Sequence, residues 1–263
     1  MASPDVSKHG MWSSKWLFVL AAAGSAVGLG NIWKFPYMAG ENGGGAFVIV
    51  YLVCVVLVGI PVMMAEVMLG RHGRMSPINT MRAMVAQFNA PSAWVLIGWA
   101  GVLAGFLILS YYAVIAGWAL YYIFRLGNGS FTGADGEFAN QAFNDFLADP
   151  WLMIMWQTLF MVITIVIVAR GVTSGLERAI RWFMPMLFVL LIVLLGYGAT
   201  SGGFEQGVAF MFDFNWKAVN VDVVLVALGQ AFFTLSLGMG AIMAYGAYVP
   251  AGVSITSTVA IIA

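Results

Sequence analysis

Three glycines, an asparagine and a lysine interrupt an otherwise apolar run, A-A-A-G-S-A-V-G-L-G-N-I-W-K-F-P-Y, at residues 21–37. Gly24, Gly28 and Gly30 come first, Asn31 and Lys34 follow, and Pro36 comes near the end. A second run, L-G-Q-A-F-F-T-L-S-L-G-M-G-A at residues 228–241, puts Gln230, Thr234 and Ser236 mid-stretch, with Gly238 and Gly240 just after. A helix broken at such points frees amides and carbonyls, which membrane depth tolerates only if they are buried in protein or line a wet cavity. The freed ends carry partial charge: amides suit an anion, carbonyls a cation. An amino-acid carboxylate and a sodium ion need that pair of partners. Sodium is a hard cation and prefers oxygen ligands, so carbonyls, Asn31 and Thr234 are the right kind. Gly24-x-x-x-Gly28 alone fits a helix-packing seam equally well. The pairing of two interrupted runs favours a site.

Glu66 ends the stretch G-I-P-V-M-M-A-E. A carboxylate at mid-depth costs about 2.5–3.5 kcal/mol on insertion scales, so it needs donors. Free amides of an unwound helix would serve; snorkelling to the interface, or pairing with nearby Arg71, are the alternatives. Ile108 and Tyr112 lie four apart and share a helix face, and a tyrosine hydroxyl on an apolar wall is a good carboxylate donor. An enzyme would need a nucleophile with a base, or a metal cluster. His9, His72 and the lone Cys54 supply neither, so no enzymatic activity and no transition-metal site is expected. A channel would want repeated polar rings from several subunits, which one asymmetric pair of interruptions fits poorly.

The elements that position these residues follow from hydropathy. Of 263 residues, 62% are hydrophobic and 8% charged, against about 25% charged in soluble domains; lipid is the expected solvent. Net charge is zero, which argues against a nucleic-acid partner. Six apolar segments are expected to be transmembrane helices, at about 15–37, 44–70, 92–124, 151–169, 182–203 and 222–248, separated by short polar loops, and a seventh begins at 254–263. With the N-terminus inside, inner loops carry Lys8, Lys15, Arg71, Arg74, Arg82, Arg170, Arg178 and Arg181, and the outer side Lys34, Arg125 and Lys217. Eight against three places the N-terminus in the cytoplasm. Trp12, Trp94, Trp151 and Trp182 sit near span ends, as interfacial anchors do.

Together these stretches resemble the neurotransmitter:sodium symporter family, in its bacterial amino-acid-transporter branch. The run from Gly24 to Tyr37, followed by E-N-G-G-G-A-F, looks like the family's first-span signature; residues 59–66 and 230–240 match its second and sixth spans. The resemblance implies an all-α membrane fold, the first half of a five-plus-five inverted repeat with its first and sixth helices interrupted, and sodium-coupled amino-acid symport by alternating access. It implies a multi-pass protein of the plasma (inner) membrane. By position, sodium would be held by carbonyls of Gly24, Ala26, Val27 and Thr234 and by the side chains of Asn31 and Thr234. The substrate carboxylate would meet sodium, amides from Gly28 to Gly30, and the Tyr112 hydroxyl. The ammonium would face carbonyls around Ala26, Phe233, Thr234 and Ser236. Ile108, Phe233, Ser236 and Met239 would line the side-chain pocket, with Phe233 as its cap. Lys34 and Gln230 would belong to an outer gate, Trp12 and Tyr248 to an inner one, and Glu66 would brace the unwound sixth span.

Departures from the family pattern carry information. Ser25 stands where prokaryotic members often have Asn, Lys34 where Arg is usual, and a point charge lacks the bidentate fork. Met239 replaces a common Phe and is adaptable, favouring hydrophobic or aromatic amino acids. Gly24 stands where the amine-transporting branch has Asp, favouring a zwitterion. Chloride dependence turns on a seventh-span residue and stays open. Family members have eleven or twelve spans, so the expected layout is truncated: 1–14 a cytoplasmic segment, 15–198 the first repeat, 199–221 an external loop and 222–263 the start of the second. On that reading the chain alone does not transport.

Overall fold

The computed structural model describes residues 12, 14–28, 30–200, 202–250 and 252–263, and the side chains of all of these except Ser25 and Thr173. The first span is in two pieces. Helix α1 (Lys15–Ala26) starts where Ser14 accepts a hydrogen bond from the Leu17 amide at 3.2 Å. It ends at Val27, whose ψ of 106° is extended. The chain resumes as a π-turn, Gly30–Lys34, that runs into α2 (Phe35–Glu41), with Pro36 in the first turn where its missing N–H costs nothing.

The second span is continuous from Gly45 to Gly73: α3 (Gly45–Cys54), a π-turn at Val55–Gly59, and α4 (Ile60–Gly73). Next come α5 (Pro77–Phe88) and the long α6 (Val95–Gly127). Helix α7 (Gly136–Ala148) leads to α8 (Pro150–Ala169), which is capped by Asp149 accepting from the Leu152 amide at 3.0 Å. A π-turn at Val172–Leu176 opens α9 (Glu177–Thr200), and α10 (Phe204–Phe212) follows. The sixth span is again in two pieces, α11 (Val221–Thr234) and α12 (Ala241–Gly246); α13 (Ile255–Ile262) comes last.

Among the described residues, four helices are long and apolar enough to cross a membrane, and α1 and α11 are the shorter apolar ones. That is the expected pattern of four whole spans and two interrupted ones. The core lies among α1, α3–α4, α11 and the chain after Gly240: Phe18, Phe47, Met63, Ile242 and Val259 are fully buried there. Helix α12 packs on α4, and α11 on α3. Gly70 permits the first contact, because a Cβ there would lie 2.0 Å from the Met243 carbonyl oxygen. By contrast, α8 buries none of its side chains, and Ile165, Val168, Ile192 and Leu195 of α8 and α9 point outward. Apolar faces of that extent need lipid around them.

Three expectations need correction. The connections are not plain loops, since α5, α7 and α10 occupy them. These are short helices with mixed faces, which average hydropathy passes over. The fifth helical stretch starts at Ser174 rather than near 182, and its Glu177 is buried at 3% exposure. Trp12 is no interfacial anchor: it is 2% exposed, whereas Trp94, Trp151 and Trp182 are exposed near helix ends.

Candidate functional site

The two interruptions face each other. In the sixth span, Ser236 (φ 55°), Gly238 (φ 77°) and Gly240 (φ 71°) alternate into the left-handed region, which glycine enters without a Cβ penalty and which no α-helix continues through. In the first span the Asn31 and Ile32 amides both return to the Gly28 carbonyl, at 3.0 Å each. The breaks are tied directly, because Gln230 Nε2 donates to the Gly30 carbonyl at 3.1 Å. Phe233 lies over Gly30, where a built Cβ would be 2.4 Å from the ring. Tyr112 reaches Gly28, where a Cβ would stand 2.7 Å from its hydroxyl oxygen. Glycine at 28 and 30 is therefore a matter of room.

Between the breaks is a cavity of about 470 Å³. Its walls contain Gly24, Ala26, Val27, Gly28, Gly30, Asn31, Ile108, Tyr112, Phe233, Ser236 and Met239. Of the residues singled out for substrate and sodium, Thr234 lies outside this lining, and the side chain of Ser25 falls outside those described. Gly105, Leu109, Ala241 and Tyr245 also line it; nothing in their sequence context marked them. Among the described residues, no Asp, Glu, Lys or Arg lines the cavity.

Thr234 is buried beside it, and its Oγ1 makes no hydrogen bond. Tyr51, whose hydroxyl faces Thr234, does not approach that oxygen in hydrogen-bonding geometry. An orphaned buried hydroxyl costs about 1–3 kcal/mol and is the type of atom a hard cation takes up. Glu66 is buried, and its Oε1 accepts from the Gly238 amide at 2.7 Å, inside the sixth-span break. The alternative partner, Arg71, instead donates to the Val253 carbonyl at 2.7 Å. Gly24 also does packing work, since a Cβ there would meet Met184 Sδ of α9 at 2.8 Å.

Phe233, Gly30 and Tyr112 belong to a second cavity as well, a vestibule of about 410 Å³ with Trp33, Lys34 and Tyr37 on its walls. Phe233 is thus the partition between the two. Lys34 Nζ sits 5.7 Å from the Phe233 ring centroid. The opposite end is plugged by Trp12. Its amide donates to the Tyr248 carbonyl and its Nε1 to the Tyr245 carbonyl, both at 3.2 Å. Trp12 thus packs on Tyr245, a wall of the cavity, and Phe233, Gly30 and Tyr112 stand between cavity and vestibule.

The sequence model of the Sodium:neurotransmitter symporter family matches residues 9–134 and 139–263. The chain belongs to that family. It is 42% identical over 240 residues to an uncharacterized sodium-dependent transporter of Bacillus subtilis (strain 168), covering 91% of this chain and 52% of that one. A human sodium-dependent neutral amino acid transporter is 27% identical over 273 residues, covering 93% and 37%. The crystal structure of MhsT in complex with L-phenylalanine superposes with a TM-score of 0.87 at 46% identity, over 96% of this chain and 57% of that one. The chain spans about half the length of the curated relatives it matches. As a symporter-family protein it has the all-α architecture, with interrupted first and sixth helices, that the sequence leads one to expect.

Proposed function

We propose that these residues form the first half of the binding site of a sodium-coupled amino-acid symporter, with a hydrophobic or aromatic amino acid as substrate. The observation that carries the reading is the cavity between the two breaks, lined by helix ends and, among the described residues, by no Asp, Glu, Lys or Arg. A net-neutral ligand suits such a wall. A zwitterion brings its own carboxylate, which can sit beside sodium and accept from Tyr112. Its ammonium then faces carbonyls near Ala26, Phe233 and Ser236. Sodium is placed against the carbonyls of Gly24, Ala26 and Val27 and the oxygens of Asn31 and Thr234, the last being the orphaned hydroxyl. Ile108 and Met239 shape the side-chain end, and the phenylalanine carried by MhsT is a ligand of the proposed class.

In the proposed cycle sodium binds first, the amino acid completes the site, and Phe233 closes over it with Lys34 and Gln230. Release of Trp12 from the Tyr245 and Tyr248 carbonyls opens the other side. Glu66 holds the broken sixth span in shape throughout. The proposed protein sits in the plasma membrane, and the excess of lysine and arginine on one side supports a cytoplasmic N-terminus. Residues 15–198 are assigned to the first repeat and 222–263 to the start of the second. Because the relatives are about twice as long, the 263 residues alone are proposed not to complete transport.

The test is thermal unfolding of a chimera continuing this chain into the second half of its Bacillus subtilis relative. Phenylalanine should stabilise it in sodium and not in potassium, and Tyr112→Phe should weaken that protection about tenfold in ligand concentration. Equal protection in potassium would overturn sodium coupling.

A further inference from the structure

Where the last turn of α6 meets α7 and the start of α8 lies a cup of about 340 Å³, within the range of about 300–1,000 Å³ that small-molecule sites occupy. It shares no lining residue with the central cavity or the vestibule. Arg125 of α6 lines it. The guanidinium carbon stands 5.7 Å from the Tyr121 ring centroid and 5.8 Å from that of Phe131. One nitrogen donates to the Tyr121 hydroxyl at 3.1 Å, and the buried Nε makes no hydrogen bond. A guanidinium has five N–H donors in a planar fork, so most of this fork is still to be used.

Two carboxylates line the same cup, Asp145 of α7 and Asp149 at the α7–α8 junction. Asp149 spends one oxygen on the Leu152 amide. Asp145 is exposed, and among the described residues neither it nor Arg125 has an ion-pair partner. The two rings hold Arg125 where it is, and charges of both signs face one space without meeting. The remaining wall is largely apolar: Phe146, 2% exposed, stacks on Tyr121 at 4.2 Å between centroids, with Phe138 and Leu152 beside it. The cup therefore offers one cation, two anions and an apolar surface between them. A lone anion would meet two carboxylates. A metal ion would lack ligands, since among the described residues no three of His, Cys, Asp and Glu come together. The complement is a ligand with one negative charge, two positive charges and a methylene stem, the stem lying along the rings as long basic side chains do.

We propose that the cup binds a free basic amino acid of the lysine class. Arg125 takes its carboxylate, Asp145 and the second oxygen of Asp149 take its two ammonium groups, and Phe138, Phe146 and Leu152 take its stem. The ligand is distinct from the one assigned to the central cavity, whose described lining has no carboxylate to receive a cationic side chain. Sodium has no part in it, because side chains meet every charge. That the cup faces the outside rests on the orientation given above; the site itself does not. A bound ligand ties the last turn of α6, the helix that carries Ile108 and Tyr112, to the junction of α7 and α8.

The experiment is calorimetric titration of the 263-residue chain in nanodiscs, in sodium-free potassium buffer, with three probes. Lysine carries all three charges, norleucine lacks the side-chain ammonium, and cadaverine lacks the carboxylate. Lysine should bind saturably, and each analogue should bind about tenfold more weakly or worse, the loss expected for one hydrogen-bonded charge. Asp145→Asn, at an exposed position, should weaken lysine by about tenfold and bring it close to norleucine. Glu205→Gln, which removes a carboxylate from exposed α10 outside the cup, should leave lysine binding unchanged. Absence of saturable lysine binding overturns the site, as does a Glu205→Gln loss equal to that of Asp145→Asn, which would mean a diffuse field. Cadaverine that binds as well as lysine overturns the amino-acid assignment in favour of a diamine. Calcium bound in place of lysine, and lost in Asp145→Asn, overturns it in favour of a metal ion. The analogues need no substitution, so the test stands even where a variant fails to fold.

Discussion

Adding one methyl group at Gly30 should drive Phe233 off the first-span break. The ideal Cβ would lie 2.4 Å from one edge carbon of the ring and 2.8 Å from the next. Ordinary contact begins near 3.4 Å, so the ring must retreat by about an ångström. Gly30 cannot move away freely, because its carbonyl is held by Gln230. Overpacking of this kind costs about 1–3 kcal/mol, and retreat of the ring also loosens its contact with Lys34, worth about 0.5–1 kcal/mol at an exposed position. The assay is a double-mutant cycle on thermal or denaturant unfolding in detergent, using Gly30→Ala, Phe233→Ala and the pair. With the ring gone the methyl has space, so Gly30→Ala in the Phe233→Ala background should be neutral or slightly stabilising through helix propensity, by up to about 1 kcal/mol. The coupling expected is about 1–3 kcal/mol. Additive effects would mean that Phe233 does not rest on Gly30, and the partition between vestibule and cavity would lose its basis.

Other predictions follow from the same geometry. Glu66→Ala should destabilise by about 1–3 kcal/mol, because it removes the carboxylate that accepts from the Gly238 amide, and Glu66→Gln, which keeps an oxygen there, should cost less; chemical unfolding decides between them. Trp12→Ala removes the buried indole and its bond to the Tyr245 carbonyl while keeping the backbone bond to Tyr248, so a cysteine placed at Tyr245 should react faster with a membrane-impermeant thiol reagent applied from the Trp12 side. Thr234→Val removes an orphaned oxygen, so in potassium the full-length chimera should be unchanged or more stable by up to about 1–3 kcal/mol; in sodium, its stabilisation should shrink relative to wild type.

How the sequence led to this site, and where it stopped short, can be seen residue by residue. Gly24, Gly28 and Gly30 with Asn31, and Ser236 with Gly238 and Gly240, were conspicuous because a lipid-embedded helix has no ordinary use for them. All but Gly24, which lies within α1 and packs on Met184, mark the two breaks. Glu66 was conspicuous by its cost, and its acceptor role toward Gly238 follows from that cost. Tyr245 was not legible: it is one aromatic among many, and only the turn at Gly240 aims it at the cavity. Trp12 was ambiguous, since a tryptophan ahead of a span serves as anchor or as plug, and only long-range contacts with Tyr245 and Tyr248 decide it. Helices α5, α7 and α10 escaped because their apolar residues line one side of a short helix and average out along the chain. The fifth helix looked shorter than it is because Glu177, Arg178 and Arg181 lower the hydropathy of its first turns, although the helix runs through them.

The most direct test of a shared site for sodium and amino acid is the pair of binding measurements that linkage connects. In the full-length chimera, sodium affinity is measured with and without saturating phenylalanine, and phenylalanine affinity with and without saturating sodium. If both ligands meet between the broken helices, the two factors must be large and equal, and Thr234→Val should reduce both together. Phenylalanine that binds with the same affinity whether sodium or potassium is present would contradict the account.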